Sequence, residues 1–117
     1  MKALVLAALL ALSSGAALAE TPSTSQLLDK TNRATDTMIT ALTEQRASVC
    51  PKRVGARACQ GKFDVAKVKA AAIGIEMTIA LTYASLGERD KANASLERVT
   101  VLRNEFNTTI AELVKTY

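Results

Sequence analysis

Apolar residues recur along three stretches of the chain at alternating steps of three and four residues, which places them on one face of an α-helix. We predict helices over three ranges: about 23–49, 64–86 and 90–116. Pro51 should end the first helix, Asp64 can cap the start of the second, and Gly87 can end it before the third begins. The pattern therefore predicts an all-α fold, a bundle of three long antiparallel helices.

The predicted helices differ in how much of their surface is apolar. The first has a thin, threonine-rich stripe, which is typical of a helix on the outside of a bundle. The second has two apolar faces, and Glu76 within its apolar stretch makes it a poor membrane span. One face comprises Val65, Val68, Ala72, Ile75, Ile79, Thr82 and Leu86, and the other comprises Ile73, Met77, Ala80 and Ala84. The third carries a single stripe: Leu96, Val99, Leu102, Phe106, Ile110, Leu113 and Tyr117.

The second apolar face of the middle helix predicts a homodimer. A bundle of three helices buries one stripe of each, so the face formed by Ile73, Met77, Ala80 and Ala84 would remain in contact with water. An exposed apolar patch of that kind usually marks an interface. The alternative is that the first helix bends over this face. Because the first stripe is a poor cover, we expect a dimer made through the second and third helices.

The N-terminal residues predict export. A positive charge at Lys2 precedes an unbroken apolar run over 3–12, and Ala17 and Ala19 occupy the two positions that a signal peptidase reads. The pattern predicts two units: a signal peptide, 1–19, and a single helical domain, 20–117. The alanine-rich signal is typical of bacteria, so we expect the periplasm, with cleavage after Ala19. A retained membrane anchor is the alternative.

The sequence has two cysteines, Cys50 and Cys59, at the two ends of one basic segment. In an oxidising compartment such a pair indicates a disulfide bond. With no histidine in the chain, two cysteines cannot complete a tetrahedral metal site, and their spacing differs from the redox-active C-x-x-C pattern. We therefore predict a structural disulfide across the first connection, with no metal and no cofactor.

Positive charge is concentrated around this connection. Residues 46–69 contain seven basic residues and one acidic residue, a net charge of +6 in a chain whose total is +4. The candidate partner-binding residues are Lys52, Arg53, Arg57 and Lys62. Positive charge of this density suits an acidic protein, anionic lipid or another polyanion as the partner. The alternative is that these charges only keep the apolar helices soluble. No aromatic residues interleave with the basic run as a stacking platform, so nucleic acid is not an expected partner.

The turn between the second and third helices resembles the second part of a tetratricopeptide unit. The residues that carry the resemblance, within 79–99, are Ile79, Ala80, Tyr83, Gly87, Ala92, Leu96 and Val99. The preceding helix shows no second copy, and a stable solenoid needs at least three repeats. The resemblance implies a helical hairpin with a protein-binding surface, and it identifies no functional residue.

The composition argues against catalysis. The chain has no histidine, no phosphate-binding glycine loop and no nucleophile elbow, and Glu76 is the single candidate for acid–base chemistry. Our leading hypothesis is a small, exported, non-enzymatic protein-interaction factor of the bacterial periplasm, similar in general character to accessory factors of conjugative or other secretion systems. The alternatives are an immunity or inhibitor protein whose basic loop binds an acidic toxin or hydrolase, and a binder of anionic lipid or polyanion.

Overall fold

A computed structural model describes residues 23–117, and the predicted signal peptide at 1–19 lies outside that range. Residues 23–117 form three long helices and no strand. The helices are α1 (Thr24–Val49), α2 (Ala56–Ser85) and α3 (Arg89–Thr116), with a 3₁₀ turn at Cys50–Lys52 between α1 and α2. The predicted all-α helical bundle is confirmed.

Local hydrogen bonds and one proline set the ends of α1. Ser23 and Gln26 form a capping box, in which the Gln26 N–H donates to Ser23 Oγ at 3.2 Å and the Ser23 N–H donates to Gln26 Oε1 at 2.9 Å. At the other end, Pro51 has no N–H with which to continue the helical hydrogen bonds. The helix consequently ends at Val49, as predicted, and the chain continues as the 3₁₀ turn.

The second helix begins at Ala56, which is earlier than the predicted start at 64. Gly55 reverses the chain with a φ of 78°, in the left-handed region that glycine tolerates. Asp64, predicted to cap the helix, lies inside it, and so does Gly61, which locally resembles the end of a loop. One glycine costs a helix only about 1 kcal/mol relative to alanine, so a helix of 30 residues accommodates Gly61.

The connection from α2 to α3 is a glycine turn. The Glu88 N–H donates to the Tyr83 carbonyl at 3.0 Å and the Gly87 N–H donates to the Ala84 carbonyl at 3.1 Å, the two hydrogen bonds of a Schellman motif. Gly87 adopts a φ of 75°. The predicted glycine stop is therefore confirmed, and α3 follows at once from Arg89.

The helices share one core along a molecule with principal extents of 52 × 21 × 17 Å. Both α1 and α3 pack on α2, which lies between them. The largest fully buried side chains are Phe63, Phe106, Met38, Leu42, Ile73, Leu113 and Val99. The α3 residues among them belong to the predicted stripe of that helix, so its inward face is as expected.

The two apolar faces of α2 lie the opposite way round from the prediction. The predicted dimer interface comprised Ile73, Met77, Ala80 and Ala84. Within the single chain, Ile73 is 1% exposed and Ala80 is 3% exposed, Met77 packs against the core, and only Ala84 is exposed. The expectation that this face meets water was wrong, because the chain's own bundle covers it. The first face points outward instead; we call six of its residues the outer stripe: Val65, Val68, Ala72, Ile75, Ile79 and Leu86.

Candidate interaction site at the basic end of the bundle

The Cys50–Cys59 disulfide is present, as predicted. It joins the 3₁₀ turn after α1 to the first turns of α2, with 5.5 Å between the two Cα atoms. Both cysteines are almost fully buried and belong to the hydrophobic core. The bond therefore ties the exposed connection to the interior of the bundle.

Four exposed cationic residues surround this disulfide, and we call them the basic pole: Lys52, Arg53, Arg57 and Lys62. Lys52 and Arg53 lie in the connection, whereas Arg57 and Lys62 lie in the first turns of α2. The prediction placed all four in a loop, and the early start of α2 corrects it. Arg57 and Lys62 of the basic pole therefore lie on a helix.

Tyr117 positions two residues of the basic pole. The Arg53 guanidinium lies 5.1 Å from the centre of the Tyr117 ring, and Lys62 Nζ lies 5.9 Å from it. Arg53 also donates to the Tyr117 carbonyl oxygen over 3.4 Å, and the ring is 6.2 Å from the buried Phe63 ring. Cation–π contacts at exposed sites are each worth about 0.5–1 kcal/mol. The tyrosine thus links the two cations to the core.

The sequence predicted Tyr117 only as a member of the apolar stripe of α3, and its contact with the two cations was not predicted. A signal for it was available. In an antiparallel three-helix bundle the end of the third helix lies beside the connection between the first two. An aromatic residue at the end of that stripe therefore meets whatever side chains the connection carries.

The aspartate and glutamate side chains of the described residues do not pair with the basic pole. Asp64, the only acidic residue within residues 46–69, pairs with Arg46 of α1 at 3.1 Å. The other ion pairs in residues 23–117 join Asp29 with Arg33, Glu88 with Lys91, and Glu76 with Arg98. None of these pairs involves the basic pole, so within residues 23–117 its positive charge has no aspartate or glutamate side chain as a partner.

Glu76, the candidate for acid–base chemistry, is occupied in an ion pair between helices. Its Oε2 accepts a hydrogen bond from Arg98 Nε at 3.0 Å, and its side chain is 21% exposed. Arg98 also donates to the hydroxyl of buried Ser95 at 3.0 Å. This arrangement links α2 to α3 and is explained by packing alone.

Residues 23–117 also bear on metal binding and on membrane insertion. No three histidine, cysteine, aspartate or glutamate residues lie close enough there to hold a metal ion. Of the helices in the same range, none combines the length and the hydropathy required to cross a bilayer.

No protein-family model matches the chain, and comparisons with curated proteins and with solved structures also found no match. The segment that resembles part of a tetratricopeptide unit does form a helical hairpin, with Gly87 at its turn.

Proposed function

We propose that this protein is a small, exported, non-enzymatic interaction factor of the bacterial periplasm whose basic pole docks on an acidic surface of a partner protein. One observation carries the proposal: four exposed cations stand together at one end of the bundle, and none of them pairs with an aspartate or glutamate side chain of residues 23–117. Such a surface attracts acidic partners and accelerates their association.

The local structure favours recognition over mere solubility. The disulfide and α2 fix the backbone that carries Arg57 and Lys62, and Tyr117 restrains Arg53. Binding through side chains that are already ordered loses less conformational entropy. Arginine also offers a planar fork of donors that matches a carboxylate.

The proposed location is supported by the disulfide together with the N-terminal sequence. Disulfides persist in oxidising compartments such as the bacterial periplasm, and residues 1–19 have the pattern of a secretory signal. A small helical factor in that compartment would serve a larger envelope assembly, and we propose an accessory role in a conjugative or other secretion apparatus.

The test is photo-cross-linking in cells at the tip of the basic connection. Val54 is fully exposed there, so a photoreactive amino acid at that position should capture a protein seated on the basic pole. Replacing Lys52, Arg53 and Arg57 together by glutamine should abolish the captured band while the helical circular dichroism is retained.

A matched control removes the same charge at the opposite end of the bundle. Lys30, Arg33 and Arg89 are exposed and lie near the start of α1 or α3. Their joint replacement by glutamine should leave capture at Val54 unchanged. Capture that is equal in both triple variants contradicts docking through the basic pole.

The same two variants separate a protein partner from a membrane surface. Purified protein is mixed with vesicles of anionic phospholipid at rising salt concentration, because binding to a charged surface weakens as the Debye length shrinks. Salt-sensitive binding that requires Lys52, Arg53 and Arg57, with no protein captured at Val54, would assign the basic pole to anionic lipid instead.

A further inference from the structure

The outer stripe of α2 is an apolar surface that the basic pole does not explain. Val68 is 68% exposed and Ile75 is 62% exposed, and the stripe runs from Val65 to Leu86, about 32 Å at 1.5 Å per residue. Continuous apolar surface of this extent on one helix is typical of an interaction site.

We propose that the outer stripe pairs two copies of this chain, with their α2 helices antiparallel and closest at Ala72. This pairing is independent of the proposed function, because it uses none of the basic-pole residues. It also differs from the interface predicted from the sequence, whose residues are largely buried within one chain.

The stripe is nearly symmetric about Ala72, as an antiparallel pair related by a twofold axis requires. Val65 and Ile79 lie seven residues before and after Ala72, so each would face the other across the axis. Fourteen residues away on either side, the small Ala58 would face the large Leu86. At these two levels apolar side chains would meet other apolar side chains.

A groove beside the stripe provides room for the second copy. It has a volume of about 490 Å³ and lies between α1 and α2, with Thr35 and Asp36 on one wall and Ile75 and Ile79 on the other. Across the twofold axis, Val68 of one copy comes within about 1.5 Å of the height of Ile75 of the other, next to this groove.

Charges along one edge of the stripe complement each other across the same axis. Lys69 donates to Thr109 of α3 at 3.0 Å and Glu76 pairs with Arg98 of α3, so both lie on the edge of α2 that faces α3. Lys69 precedes Ala72 by three residues and Glu76 follows it by four. In the antiparallel pair, Lys69 of one copy and Glu76 of the other come within about 1.5 Å of the same height along the helix axis.

The size of the stripe sets the expected strength of the dimer. Its side chains offer on the order of 500 Å² of apolar surface per copy, which is at the lower limit of specific interfaces. We therefore expect a dissociation constant on the order of micromolar to tens of micromolar.

The first test is analytical ultracentrifugation of the disulfide-bonded protein between about 1 and 200 µM. The weight-average mass should rise from monomer towards dimer over that range. The Ile75→Glu substitution should raise the dissociation constant at least about tenfold, because it places a charge in the centre of the contact. Val101→Glu is the matched control, since Val101 is 56% exposed on α3 and lies outside the stripe; it should dimerise like the natural protein.

The second test fixes the orientation. Val65→Cys and Ile79→Cys proteins, mixed under mild oxidation, should form a disulfide between the two variants, with far less of either symmetric product. A mass that stays monomeric to 200 µM, a dimer that Ile75→Glu leaves intact, or preferential linkage of Val65→Cys to itself would each overturn the proposal. Cross-linking of the stripe to a different protein, with a monomeric purified chain, would overturn it equally.

Discussion

Replacing Gly74 by alanine tests how closely α1 and α2 pack. A Cβ atom at position 74 would lie 2.5 Å from Thr35 Oγ1 and 3.0 Å from Thr35 Cγ2, whereas ordinary contacts begin at 3.4 Å. Thr35 has little freedom to move away, because its hydroxyl donates to the Thr31 carbonyl at 2.9 Å. The substitution must therefore push the two helices apart or break that hydrogen bond.

Two opposing effects set the expected change in stability. Alanine stabilises a helix interior by about 1 kcal/mol relative to glycine. Overpacking a tight contact costs about 1–3 kcal/mol, and losing the Thr35 hydrogen bond adds about 1 kcal/mol. We expect a net destabilisation of about 1–3 kcal/mol, which for a domain of this size lowers the melting temperature by roughly 5–25 °C.

Two further variants isolate the clash. Gly61 also lies within α2, but a Cβ atom there would meet nothing within 4 Å, so Gly61→Ala should raise stability by up to about 1 kcal/mol. In a Thr35→Ala background the nearest remaining contact at position 74 is the Cβ of residue 35, at 3.2 Å. Gly74→Ala should then be close to neutral.

The measurement is urea denaturation followed by circular dichroism at the helical minimum, with the four proteins of the Gly74 and Thr35 cycle compared under one condition. A coupling energy of about 1–3 kcal/mol between the two sites supports the close packing. If Gly74→Ala stabilises the protein as Gly61→Ala does, in both backgrounds, the interpretation of Gly74 as a contact between helices is wrong.

Two other predictions concern the disulfide and Glu76. Replacing Cys50 and Cys59 by serine should lower the free energy of unfolding by about 2.7 kcal/mol, the chain-entropy value for a loop of about ten residues; a denaturation midpoint equal to that of the natural protein contradicts this. The natural disulfide should resist reductant in the folded state, because both cysteines are buried. Thiol labelling after reductant treatment, with and without urea, measures this resistance. Glu76→Gln should cost less than about 1 kcal/mol, since its partner Arg98 is largely exposed, and should leave capture at Val54 intact. A folded Glu76→Gln protein that has lost function in cells would restore a catalytic interpretation.

The sequence predicted the number of helices because strong local signals agreed with the hydrophobic period. Pro51 interrupts the first helix, and Gly87 closes the second. The start of α2 was predicted wrongly because Gly61 and Asp64 look locally like a loop end and a cap. The backbone reversal occurs instead at Gly55, which leaves the following residues free to be helical.

The basic pole was predictable from charge alone, since Lys52, Arg53 and Arg57 are close in sequence. Its organisation was not, because it depends on Tyr117, more than fifty residues later. Sequence spacing within one segment carries no information on a contact that only the antiparallel path of α3 creates. The structure adds a platform that orders the predicted cations.

The choice between the two faces of α2 shows where the size of apolar side chains misleads. Valines and isoleucines dominate the outer stripe, so by hydropathy it resembles the buried face of a helix. The inward face instead carries small residues such as Ala66, Ala70 and Gly74. Small residues are what close packing against α1 requires, as the contact of Gly74 with Thr35 shows. The disulfide could have decided the matter: Cys59 must face the interior to reach Cys50, and steps of four and three from Cys59 give Phe63, Ala66, Ala70 and Ile73, all buried. The disulfide to the turn after α1 is thus a stronger indicator of the inward face than hydropathy, and it leaves the larger apolar residues of α2 on the outward face, where the proposed pairing of two copies would use them.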